Sequence, residues 1–242
     1  MKQQIIPAAL SAIALALAAG SADAQIANGD FNGLVGWSTA GDVASISTGG
    51  AHLVLTNAYS DGSDDTFTDG KNHNVSRNDP WPTGGGAGTL EGFVGVAGGS
   101  FDTATFVQAY EGSAALQTFT AVAGSSLSFQ WNFGTTETDP TLADRAFVVI
   151  DGKVITLADT LPTAAGTDYA LGTGWKSWSG ALGAGSHTIA FGVVDVGSSG
   201  DSSALFVSDV TLGVSSVPES PTLAMFGAGL GLLALARRRR NV

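Results

Sequence analysis

The side chains able to do chemistry are mostly carboxylates. Asp30 and Asn32 near the start of the mature chain and Asp209 near the end of its body are hard oxygen donors. A second set, Glu137, Asp144, Asp195 and Asp201, falls at the ends of apolar runs. If those ends converge, four acids form an oxygen-rich pocket suited to Ca²⁺, which prefers several carboxylate and carbonyl ligands. If they do not converge, they are solvated turn acids. Paired carboxylates among Glu137, Asp144 and Asp195 would also suit glycoside hydrolysis, which needs two of them about 5–10 Å apart. Asp61, Asp64, Asp65 and Asp69 form another acidic stretch, but without the spacing or terminal Glu of an EF-hand loop.

Other catalytic chemistry has little footing. His52, His73 and His187 lie on separate segments, and there is no Gly-x-Ser-x-Gly elbow, His-Glu-x-x-His pair or phosphate-binding loop. With no cysteine, thiol catalysis and Cys-ligated zinc are excluded. The aromatics suggest binding instead. An exposed Trp offers a flat apolar face to the C–H face of a sugar ring. Trp81, set between Pro80 and Pro82, is one candidate platform. Trp175 and Trp178 are three apart, so on a strand they face opposite sides. One is expected in the core and one exposed, and Trp178 is taken as the second candidate platform.

These residues sit on short alternating or apolar runs: Ala51–Asn57, Thr105–Tyr110, Ser126–Phe133, Ala146–Ile150, Trp175–Ser179, His187–Val194 and Ala204–Val214. Gly, Asn, Asp and Ser clusters separate them. This pattern predicts an all-β sandwich. Asp151-Gly152 reads as a two-residue primed turn. No amphipathic helix is evident between the ends, and residues 59–88 form a long polar loop excursion.

The two ends read as addresses. Ile5–Ala19 is apolar, and Ala22-Asp23-Ala24 precedes Gln25 as a small-x-small cleavage site. Residues 1–24 are therefore expected to be a secretory signal peptide rather than a buried helix. Residues 25–216 make the β domain. In 217–242, Val217-Pro218-Glu219-Ser220-Pro221 leads into an apolar run over 222–236 and then Arg237, Arg238, Arg239 and Arg240. Four arginines would stay in the cytoplasm and leave the body outside the membrane. The alternative to a sorting signal is a plain C-terminal anchor.

That tail resembles the PEP-CTERM protein-sorting signal of Gram-negative bacteria. The resemblance implies recognition, and cleavage, by an exosortase-type membrane protease, and an exported protein of exopolysaccharide-making cells. The usual tripeptide is Pro-Glu-Pro; here Ser220 intervenes before Pro221. In the body, Asn28-Gly29-Asp30-Phe31-Asn32-Gly33 with Trp37, and Ala204–Leu212, resemble the first and last strands of bacterial jelly-roll domains, including carbohydrate-binding modules. That resemblance implies a structural Ca²⁺ held by an acid from each end. Asp209 matches the C-terminal acid, and Asn32 stands where those domains have Glu.

The terminal segments carry five of the ten basic residues and only two of the 21 acids, so the body is near −14. Such charge disfavours nucleic acid and other polyanions. The expectation is a non-enzymatic, exported envelope or matrix protein. It would be membrane-held through its C-terminal helix, Ca²⁺-stabilised, and able to bind extracellular polysaccharide. The rivals are a dedicated carbohydrate-binding module and an exopolysaccharide hydrolase.

Overall fold

The computed structural model describes residues 25–47, 49–57, 73–74, 88–102, 107–166, 169–197 and 201–214, together with Arg237. The expected signal peptide, nearly all of the 59–88 excursion with Trp81, the sorting residues Val217, Pro218, Glu219 and Pro221, the 222–236 helix and Arg238–Arg240 lie outside them. Among the described residues no helix is long and apolar enough to cross a membrane.

Four long strands dominate: β5 (Ala109–Ala121), β6 (Ser125–Thr135), β12 (Gly185–Val196) and β13 (Ser203–Val214). Around them run β1 (Ser38–Ala40), β2 (Asp42–Ile46), β3 (His52–Thr56), β4 (His73–Asn74), β7 (Arg145–Ile150), β8 (Lys153–Ala158), β9 (Ala164–Ala165), β10 (Leu171–Gly172) and β11 (Lys176–Leu182). They form two antiparallel sheets packed as a sandwich. The first has the order β1-β5-β12-β7-β8, with β4 also on β5. The second runs β2-β3-β13-β6-β10-β9, with β11 also on β6.

The core follows from the two-residue period of the strands. In β6, Leu127, Phe129, Trp131 and Phe133 are buried between the sheets and alternate with Ser126, Ser128, Gln130 and Asn132. Leu205 and Val207 of β13 and Phe191 and Val193 of β12 meet them. The loop before β1 closes the core with Phe31 and Trp37, whose rings lie 5.2 Å apart, Trp37 lying 5.9 Å from Phe191. Phe31 does this at φ +52°, a backbone conformation costing about 1–3 kcal/mol, which burial of a whole phenyl ring offsets.

The Asp151-Gly152 turn forms as expected. Both residues have positive φ, and Ile150 pairs directly with Lys153. Three features differ from the sequence expectation. The Thr105–Tyr110 run predicts a strand, yet β5 begins at Ala109 and extends to Ala121. Its Gly112, Ala114 and Ala115 carry little apolar signal, but pairing on both sides secures it. Close packing requires those small residues: a Cβ on Gly112 would come within 2.2 Å of the Val193 carbonyl oxygen. β1 and β2 form from an unpatterned stretch. A short helix α1 (Leu90–Val94) caps the outer side of the first sheet, started by Thr89 accepting from Gly92 N and ended by left-handed Gly95. Five residues are too few to show a helical period.

Candidate functional site

The exposed face of the second sheet holds the one large bare tryptophan among the described residues. Its position follows from register. Trp178 pairs with Phe129, an inward residue, so Trp178 also points inward. Its ring stacks on Phe129 at 5.1 Å and 18°. Trp175, three residues earlier, turns outward and is 47% exposed. Trp178 is only partly buried, but one face lies against Phe129 and the ring reaches over Gly180. The bare platform is therefore on Trp175.

Neighbouring strands complete the surface. His52 of β3 meets Trp175 edge-on at 5.7 Å and Phe206 of β13 at 6.3 Å. Tyr169 supports Phe206 from beyond, at 6.3 Å. Gln130 and Asn132 project from β6, and Thr173 Oγ1 donates to Asn132 Oδ1 at 3.2 Å. His52, Gln130, Asn132, Trp175 and Phe206, with Ser208 and Asp209, line an open hollow of about 430 Å³. A second hollow of about 330 Å³ adjoins it through Gln130 and Asp209, and is edged by Ser128, Ser177, Ser179 and Thr211.

Asp209 owes its place to a bulge. Pairing of β13 with β6 shifts between Ser208 and Thr211, and Asp209 takes φ +54°. The bulge turns Val210 into the core, where its N–H donates to Gly29 O at 2.9 Å. It leaves Asp209 on the outer face, accepting from Gln130 Nε2 at 2.8 Å. Aspartate is among the few residues that tolerate this conformation, and such local strain collects at functional surfaces.

The expected calcium residues are distributed differently from a cage. The Gly29–Val210 bond does bring the two chain ends together. Asp30 and Asn32, however, are exposed in the loop, and Asp209 is bonded to Gln130. Among the described residues no three acidic or imidazole side chains come within range of one metal ion.

Glu137, Asp144, Asp195 and Asp201 do gather at one end of the sandwich. Asp144 is the hub. Its Oδ1 accepts from Val196 N at 3.0 Å, and its Oδ2 from Asn57 Nδ2 at 2.8 Å and Ser203 Oγ at 2.6 Å. Glu137 Oε1 accepts from the backbone N–H of Thr138 and Asp139, both at 2.6 Å. Thr136 Oγ1 donates to Asp201 Oδ1 at 3.3 Å. Burial pushes the Asp144 carboxyl up to about 7, and the nearby Glu137 charge adds to this, against the bonds from Ser203, Val196 and Asn57. Ser203 Oγ also lies 2.7 Å from Thr135 Oγ1. It can donate to an ionised Asp144, or accept from a protonated one and donate to Thr135 instead. Glu137, Asp144 and Asp195 are each at least 97% buried, so no polymer reaches them.

His187 and Asp151 form an ion pair at the β7–β8 turn, Nδ1 to Oδ2 at 2.7 Å, while Nε2 lies 3.1 Å from Gly183 O. Both ring nitrogens are engaged within the protein.

Sequence reasoning missed His52, Phe206 and Gln130. Each lies on a predicted strand, but only the sheet order brings them beside Trp175.

No protein-family profile and no curated protein matches the chain. Among solved structures it is similar to the carbohydrate-binding module TmCBM61, in complex with β-1,4-galactotriose, at 11% identity and a TM-score of 0.39, covering 79% of this chain and 99% of that one. It is also similar to the enzymatically active domain of tailspike protein 4 from bacteriophage CBA120, at 13% identity and TM-score 0.34, covering 79% of this chain and 21% of that one. A family 35 carbohydrate-binding module from an environmental isolate matches at 19% identity and TM-score 0.24, covering 44% and 73% respectively.

Proposed function

We propose that the chain is an exported, non-catalytic protein that binds polysaccharide on the outer face of its second sheet. In this reading the body is a jelly-roll-like sandwich. The tail resembling PEP-CTERM directs it to the envelope, where an exosortase-type protease processes it. One observation carries the binding assignment: Trp175 stands bare at the edge of a groove whose floor presents an amide pair, a carboxylate and a row of hydroxyls. An apolar ring face beside a few convergent polar groups is how sugar rings are stacked and oriented. A non-catalytic role is favoured because the acids that could hydrolyse a glycoside are sealed in the sandwich end. The two ring nitrogens of His187 face Asp151 and the Gly183 carbonyl oxygen rather than a serine hydroxyl.

Co-sedimentation or affinity electrophoresis with extracellular polysaccharide tests the assignment. Removing an aromatic anchor costs about 2 kcal/mol, so Trp175→Ala should weaken binding ~30-fold. Retention unchanged by Trp175→Ala would exclude this face. For the sorting part, a mature protein whose mass includes the arginine cluster would leave only a plain anchor.

A further inference from the structure

We infer that the groove accepts an internal stretch of an uncharged polysaccharide, at least two sugar units long, and rejects acidic glycans. This rests on the polysaccharide-binding reading above and adds ligand class and length. The charge pattern carries the first part. Neither hollow is lined by Lys or Arg, and Asp209 is the formally charged residue shared by both. Lys176, the nearest candidate cation in sequence to Trp175, is turned away, its Nζ 5.3 Å from the Trp131 ring centroid on the inward side. Among the described residues that line the hollows, a uronate or sulfate would find no guanidinium or ammonium to pair with. It would approach a carboxylate on a chain of formal charge −11.

The remaining polar groups suit hydroxyls. Asp209 Oδ2 is engaged by Gln130, and Oδ1 has no bonded partner among the described residues, so it can accept from a sugar O–H. Ser128 and Thr211 bond each other at 2.9 Å, either as donor. Ser179 pairs with Ser128 across β11 and β6, and Ser177 with Gln130, extending a row of groups that both donate and accept.

Length follows from strand geometry. From Asn132, beside the Trp175 hollow, to Ser128, in the second hollow, is four residues along β6, about 13 Å. That exceeds one pyranose ring. Both hollows are open along the sheet surface, so a chain can continue past either end.

The test is an array of neutral, uronate-containing and sulfated oligosaccharides of one to six units, probed with the purified full chain and with Trp175→Ala of matching melting temperature. Expected is binding confined to neutral glycans of two or more units, reduced at least tenfold by Trp175→Ala. Uronate or sulfate ligands lost with Trp175→Ala would overturn the ligand class while leaving the site in place. Monosaccharides binding as well as oligomers would overturn the length. Binding to no glycan at all would refute the polysaccharide-binding reading itself.

Discussion

The buried Asp144 carboxyl makes stability depend on pH in a direction opposite to that of an ordinary salt-bridged acid. In the unfolded chain this group ionises near the ordinary aspartate value of 3.8; folded, it holds its proton up to about 7. Between those values the native state binds a proton that the unfolded state has released, so stability falls as pH rises. Below about 4 both states are protonated and nothing is lost; above about 7 the loss is complete. Each unit of difference is worth about 1.4 kcal/mol, which sets a ceiling of about 4 kcal/mol. The perturbation is Asp144→Asn. Its amide can still accept from Asn57 and Ser203 but faces Val196 N–H with a donor, costing about 1–3 kcal/mol at every pH. The assay is urea unfolding at pH 5 and pH 8. About two units of the difference fall between pH 5 and pH 8, so with a slope near 2 kcal/mol per M the wild-type midpoint should drop by about 1.3 M on going to pH 8. The variant should lack that drop. Parallel pH profiles for the two proteins would refute the assignment of the shift to Asp144.

Other outcomes follow from the packing and electrostatics. Gly192→Ala places a Cβ 2.2 Å from Cζ of Phe147, a ring already stacked on Phe101, and should cost about 1–3 kcal/mol, read as a lower melting temperature. The hydrogen bond to Asp151 raises the His187 pKa, so its contribution is full below pH ~6.5 and fades as pH rises through the raised value. Because Asp151 is 46% exposed the effect stays below about 1 kcal/mol; His187→Gln should lower the melting temperature slightly at pH 6 and not at pH 9. Among the described residues no three acidic or imidazole side chains come within range of one ion, so EGTA and added Ca²⁺ should give the same melting curve; a difference of several degrees would support a structural Ca²⁺.

The sandwich was legible wherever large apolar residues alternate, as in β6 with Leu127, Phe129, Trp131 and Phe133. It was also legible where turn chemistry is specific, as at Asp151-Gly152. It was not legible in β5, whose Ala and Gly residues are chosen for close approach to β12 rather than for hydrophobic burial. At the site, spacing alone showed that Trp175 and Trp178 face opposite sides. Which one faces solvent depended on the pairing of Trp178 with Phe129, a long-range register. Asp209 stood out as an acid near the end of the body, but its partner is Gln130 across the sheet, because the bulge at Ser208–Thr211 redirects it. Of the end acids, Asp144 shows why spacing was not enough: its carboxyl is held by Asn57, Ser203 and Val196 N–H, which come from three other segments of the chain.

The most direct test is a crystal structure of the full chain with a neutral oligosaccharide that it retains. A sugar ring should lie in van der Waals contact with the indole of Trp175, with hydroxyls bonded to Asp209 and Gln130. A ligand seated elsewhere, with the outer face of the second sheet bare, would contradict the account.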